Sequence, residues 1–166
     1  MKILFVAIAV FGPMIAESVL SARHERELLA AGAREPGGDV YKLMRFAYPG
    51  AFLLVLAEGI WRAAPPAPAF WAGAFVFAAA KALKYWAIAH LGVRWTFRVL
   101  VPPQSSRVVS GPYRWLRHPN YIAVAGELSG AALMSGARVT GPVATLGFVV
   151  LMVLRVKIEE RALMRT

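Results

Sequence analysis

A chain of 166 residues has room for one domain, and this one is 58% apolar with only 17% of its residues charged. Soluble domains carry roughly 45–50% apolar residues, so the composition belongs to the membrane class. The net charge of +10 would suggest nucleic acid in a soluble protein, but the bases gather at the ends of apolar runs that water does not accommodate, which argues against a nucleic-acid partner. With no cysteine the chain has no disulfide framework, no zinc–thiolate site and no thiol nucleophile, and no spacing of His, Asp and Glu suggests a metal.

The first apolar run is Ile3–Leu20, broken by Gly12-Pro13 and carrying Glu17. Its lysine start and small-residue end also fit a signal peptide, but further spans follow and no exported domain does. "SARHERELLAAGAREPGGDVYKLMR" comes next; its first half has helical spacing and extends the first helix into water until Glu35-Pro36-Gly37-Gly38 breaks it. Tyr48–Trp61 is a second run, ended by Arg62 and "PPAP", and Phe70–Leu91 a third with Lys81 and Lys84 near its far end. A polar connection over Gly92–Asn120 separates these from Tyr121–Ser135 and Val139–Leu154. The fourth run is short against the ~20 residues a spanning helix needs. Gly136 and Gly141-Pro142 between the last two runs read as a tight helical hairpin. Glycines at 126, 130, 136, 141 and 147 would let its backbones approach closely. The expected fold is all-α: one polytopic membrane bundle of about five transmembrane helices, with N-terminal spans over 1–91 and a functional core over 92–166.

Charge gives the orientation. Arg23, Arg26, Arg34, Lys42 and Arg45, then Arg94, Arg98, Arg107, Arg114 and Arg117, then Arg155, Lys157, Arg161 and Arg165 all fall on one side of a five-span chain. The opposite side keeps Lys2, Arg62 and Arg138. The crowded side is cytoplasmic by the positive-inside rule, placing the protein in the inner membrane.

Two polar motifs on that side stand out: "GPYRWLRHPNY" over Gly111–Tyr121, and "RVKIEERAL" over Arg155–Leu163. Pro119 suits the first turn of a helix, which sets His118 at the mouth where backbone N–H groups point outward. Arg155 and Glu159 are four apart on one helix face. In a hairpin, the start of the fourth helix and the end of the fifth lie side by side, so the two clusters converge on one pocket.

These paired motifs resemble the isoprenylcysteine carboxyl methyltransferase family: Gly-x-Tyr, then Arg-His-Pro-x-Tyr, then Arg-x-x-x-Glu-Glu-x-x-Leu, in order over Gly111–Leu163. "ALKYWAIAHLGVRW" is similar to the family's preceding helix and turn. "RHERELLAAGAREPG" resembles a small bacterial branch associated with O-methylation of alkylpyrones and alkylresorcinols. The resemblance implies an S-adenosylmethionine-dependent methyltransferase whose cofactor sits at the cytoplasmic end of the last two helices, acting on a lipophilic small molecule drawn from the membrane, with no obligate protein partner. Carried over by position, Tyr113, His118, Pro119, Asn120 and Tyr121 line the cofactor, Arg107 and Val108 add backbone contacts, and Glu159 holds its amino-acid end. Arg155 faces the acceptor. Ala123 stands where the family usually has glycine, which touches only close packing.

Plainer roles compete. His118 alone reads as a helix cap, Arg155–Glu159 as an intrahelical ion pair, and Trp115 as an interfacial ring. Glu127 lies inside the fourth span, where an ionisable group is functional by default; it either pairs with Lys81 or Lys84 or touches the acceptor's hydroxyl, and it is counted with Arg155 as a catalytic candidate. Glu17 and Glu58 read as structural, and His24 and His90 as chemically idle. The alternatives to lipid O-methylation are isoprenylcysteine carboxyl methylation, phospholipid headgroup N-methylation and, outside enzymes, a membrane scaffold or lipid-binding protein.

Overall fold

The structure, a computed structural model, describes residues 2–35, 37, 40–103 and 108–163, with side chains described as far as Ile158. Five long helices account for most of it: α1 (Lys2–Ala30), α2 (Tyr41–Trp61), α3 (Ala67–Leu91), α4 (Pro119–Ser135) and α5 (Thr140–Leu163). Among the described residues there is no β-strand, only an isolated antiparallel bridge between Arg34 and Val101. The helices alternate in direction. Lys2, Glu58, Phe70, Ser135 and Thr140 mark one end, where Lys2 lies over the Phe70 ring and Glu58 meets Thr140. The motif-bearing connection and the end of α5 mark the other. The chain is an all-helical polytopic membrane protein.

Helix limits overrun the apolar runs because hydropathy marks the membrane-buried part and not the hydrogen-bonded part. α2 begins at Tyr41, seven residues ahead of its apolar run, and α1 continues through its charged extension to Ala30. α1, α2, α3 and α5 are long and apolar enough to cross a membrane. α4, at 17 residues, rises only about 25 Å against a hydrocarbon core of about 30 Å. It escapes this mismatch by being the central helix: it packs on all four others and buries Ala123, Val124, Leu128, Ala131 and Met134. Pro119 opens it, with His118 at the N-cap position. Gly136 closes it in the left-handed conformation (φ 72°), and the Ala137 N–H returns to the Ala132 carbonyl.

α4 and α5 form the expected hairpin, but the glycines divide differently from the sequence expectation. A Cβ on Gly130 would meet the Phe77 nitrogen at 2.7 Å, and one on Gly73 would meet the Met134 nitrogen at 2.8 Å; Gly126 faces Ala80. These three let α4 lie close against α3, not α5. Gly141 serves the hairpin, packed on Ala132, while Gly147 faces open space. Small residues were legible; the partner each one admits was not.

Glu58 caps the start of α5. Its carboxylate accepts the backbone N–H groups of Arg138, Val139 and Thr140 and the Thr140 hydroxyl, satisfying donors that a helix leaves unpaired. At the other end, the extension of α1 holds the connection that follows α3. Ser21 Oγ accepts from the Phe97 N–H at 2.8 Å, His24 Nδ1 lies 2.8 Å from the Trp95 carbonyl oxygen, and Arg34 and Val101 exchange backbone bonds. Arg98 forks onto Glu35 and holds that carboxyl below its usual range.

Candidate active site

A cavity of about 1120 Å³ opens among these elements at the basic end. Residues of α1, α2 and α5, the 95–102 segment, the 3₁₀ turn Gly111–Arg114 and the start of α4 all line it. Gly111 shapes the turn: its φ is +57°, and a Cβ there would come within 2.4 Å of the His90 ring. The turn thus lies against α3, with Tyr113 on the cavity wall. His118 and Tyr121, stacked with ring centroids 5.5 Å apart, continue the wall with Asn120, whose Oδ1 accepts from the Trp95 indole at 3.4 Å.

Val108, Tyr113, His118, Asn120, Tyr121 and Arg155 therefore meet around one space. Pro119 is buried behind it as the first residue of α4. Arg107 lies outside the described residues. Glu159 is in α5 one turn beyond Arg155, its side chain outside the described set. His118 makes no side-chain capping bond, so the capping role finds no support.

Arg155 is 7% exposed. One guanidinium nitrogen donates to the Phe97 carbonyl and another lies 3.8 Å from Met44 Sδ, tying α5 to the connection and to α2. Its Nε has no partner among the described residues. An unpaired buried donor of a permanently charged group is costly. Arg155 lines the cavity.

Glu127, 1% exposed, does not line the cavity. It sits beneath the floor in a charge cluster. Lys84 Nζ lies 3.0 Å from its Oε1, and Lys81 Nζ lies 3.3 Å from its Oε2. Both lysines also bond Glu17, at 2.7 Å (Lys81) and 2.9 Å (Lys84). Of the two roles open to Glu127, the ion pair is present, and it takes both lysines. The cluster is electrically balanced, two carboxylates against two ammoniums, which is how charge is tolerated at membrane depth. The Tyr48 hydroxyl donates to Glu127 Oε2 at 2.5 Å and faces Lys84 Nζ at 3.3 Å. Tyr48 and Lys84 both line the cavity, so the cluster reaches the site through them.

Sequence reasoning did not single out Tyr48, nor the wall formed by Trp95–Val101. Tyr48 opens an apolar run like any interfacial ring. The wall is an irregular segment whose placement depends on Ser21, His24 and Arg34, some seventy residues away in the chain. On the outer side of α4 and α5, a second groove of about 400 Å³ is lined by Ile122, Ala125, Val149, Met152, Val153 and Val156. It shares Arg117, His118 and Tyr121 with the cavity. Among the described residues no cluster suited to a metal ion occurs.

A helical membrane bundle with a cavity bearing charged side chains at one end and an apolar groove against it defines the class: a polytopic membrane protein with a preformed site at one end of its bundle. The sequence pattern of the isoprenylcysteine carboxyl methyltransferase (ICMT) family matches residues 71–165, and the chain belongs to that family of membrane methyltransferases. It is also similar to an uncharacterized protein, YpbQ, of Bacillus subtilis (strain 168), 32% identical over 149 residues that cover 89% of this chain and 88% of that protein. An uncharacterized protein of Haemophilus influenzae is 26% identical over 145 residues, 87% of this chain and 84% of that one. No solved structure matches the chain.

Proposed function

We propose that this protein is an S-adenosylmethionine-dependent O-methyltransferase of the cytoplasmic membrane, acting on a hydroxyl, enol or carboxylate oxygen of a lipid-tailed small molecule such as an alkylpyrone or alkylresorcinol. The observation that carries this reading is the wall of His118 and Tyr121, with a cavity that carries charged side chains on one side and a groove lined almost wholly by apolar residues on the other. An alkyl tail held in the groove would bring its head to that wall, where a cofactor in the cavity would meet it.

The residues present fit the cofactor. Tyr113, Trp95, Phe97 and the His118–Tyr121 stack offer ring faces for a purine, and Asn120 and the backbone around Val108 offer polar contacts. Glu159 follows Arg155 by one helical turn, as a partner for an ammonium. When bound, S-adenosylmethionine supplies an electrophilic methyl group on a sulfonium. The chain's own part is to orient and to exclude water. Arg155, buried on the cavity wall, holds the acceptor oxygen as negative charge builds on it, without itself titrating. Holding nucleophile and electrophile in line supplies most of the acceleration, and a dry site favours a transition state in which opposite charges cancel. The charged residues of the cavity wall are Glu25, Arg45, Lys84, Arg94, Arg98, Arg117 and Arg155, with Lys84 and Arg98 neutralised by carboxylates of their own; the remaining arginines suit an anionic acceptor head.

S-adenosylhomocysteine should raise the melting temperature of the detergent-solubilised protein. Linkage puts the gain at about 2.7 kcal/mol at a hundredfold excess over Kd. A folded sample showing no shift at millimolar ligand would sink the reading, whatever acceptors are tried.

A further inference from the structure

The cluster beneath the cavity has a feature that charge balance alone does not require. Glu17, Lys81, Lys84 and Glu127 already neutralise one another, yet Tyr48 joins them from the cavity wall with its hydroxyl on Glu127 Oε2 at 2.5 Å. Lys84 Nζ, also on the wall, donates to the Tyr48 hydroxyl oxygen at 3.3 Å. A tyrosine oxygen that gives its proton to a carboxylate keeps two lone pairs to accept with; Lys84 takes one of them, and Tyr48 itself lines the cavity. The Tyr48 ring is pinned by Phe52 and Phe148, at centroid distances of 5.1 Å and 5.2 Å, so the hydroxyl has little freedom to turn elsewhere.

We propose that Tyr48, backed by Glu127 and Lys84, takes the proton from the acceptor, making the site one for oxygens that carry a removable proton, phenols and enols, in preference to carboxylates. This rests on the methyltransferase reading above and names its substrate class. The acceptor oxygen gains the methyl group with its lone pair, and the carbon–sulfur pair stays on the donor sulfur. The acceptor's O–H pair remains on oxygen as its proton passes to Tyr48 Oη, while Tyr48's own proton passes to Glu127 Oε2. The positive charge lost at sulfur reappears in the cluster, where Glu127 is now neutral between two ammoniums. The proton leaves by the same path, through Tyr48 to solvent, once the products have left and the cavity is open to water. A carboxylate acceptor, already ionised at neutral pH, would have nothing to give this relay.

Tyr48 is the catalytic residue here, and Glu127 and Lys84 position and bias it. The test uses an alkyl nitrophenol, whose absorbance reports its ionisation, bound to the full-length protein in detergent without cofactor. Its apparent pKa should fall by about a unit relative to empty micelles, a tenfold change in ionisation constant, and Tyr48→Phe should abolish most of that fall. An equal pKa on both bound proteins would overturn the relay. Should Tyr48→Phe fail to fold, the wild-type titration decides: a bound probe ionising no more readily than in micelles overturns it. In turnover with a series of alkylphenols, the deficit of Tyr48→Phe should shrink as the phenol becomes more acidic, whereas a merely structural role would give one constant deficit. Failure of the methyltransferase reading is seen separately, as absent stabilisation by S-adenosylhomocysteine.

Discussion

Arg155 joins two duties that its place in the sequence shows only in part. The motif suggests an anchor for the acceptor; the structure adds that its guanidinium holds the Phe97 carbonyl and contacts Met44. Arg155→Gln should therefore fail in two ways. Turnover falls roughly tenfold to hundredfold, the worth of a charge-assisted hydrogen bond at ~1.5–3 kcal/mol, and the melting temperature falls as well because the Phe97 carbonyl loses its donor. Affinity for S-adenosylhomocysteine should stay within a few fold. Glu159→Gln should do the reverse, weakening S-adenosylhomocysteine tenfold to a hundredfold by the same arithmetic. Calorimetric titration run beside turnover separates the two, and equal loss of cofactor binding in both variants would reduce Arg155 and Glu159 to a structural pair. Arg155→Lys keeps the charge but loses the planar fork, so it should not restore both duties.

Between elements, the decisive contact is α3 against α4, and glycine decides it. Gly130→Ala places a Cβ at 2.7 Å from the Phe77 nitrogen and 2.8 Å from the Gly73 carbonyl oxygen, so two backbones must part. Overpacking of that kind costs about 1–3 kcal/mol. Gly147→Ala meets nothing within 4 Å and should be neutral or slightly stabilising, since alanine favours a helix. Thermal unfolding of both in one detergent checks the contrast, and similar melting temperatures would show that α3 and α4 are not so close. Helices were legible because apolar runs, Pro119 and Gly136 are local signals. The pairing of α3 with α4 was not, because a glycine shows room for a neighbour without saying which. The candidate site divides the same way. His118 and Arg155 stand out as candidates in the sequence because their motifs lie within one stretch each. The Tyr48–Glu127 bond joins residues 79 positions apart, and nothing local at Tyr48 distinguishes it from a ring at the membrane surface.

Across the whole molecule, the ends of the bundle are built for different tasks. One is closed by short turns and by Glu58 over the start of α5; the other carries the α1 extension, the 92–118 connection and the cavity. Basic residues crowd the second end, and Lys2, Arg62 and Arg138 serve the first. By the positive-inside rule the basic end is expected to face the cytoplasm, the side on which the proposed cofactor is made. The chain has no cysteine, so single substitutions give a clean test. Val109, 70% exposed at the cavity end, and Ala67, at the start of α3, lie at opposite ends of the bundle. Val109→Cys should react with a membrane-impermeant maleimide only after the inner membrane is opened, and Ala67→Cys should react in spheroplasts with that membrane sealed. Access to Val109→Cys from outside would invert the protein and remove the cavity from its cofactor. Reaction of both from one side would break the alternation of five crossings on which the convergence of the α4 and α5 motifs depends.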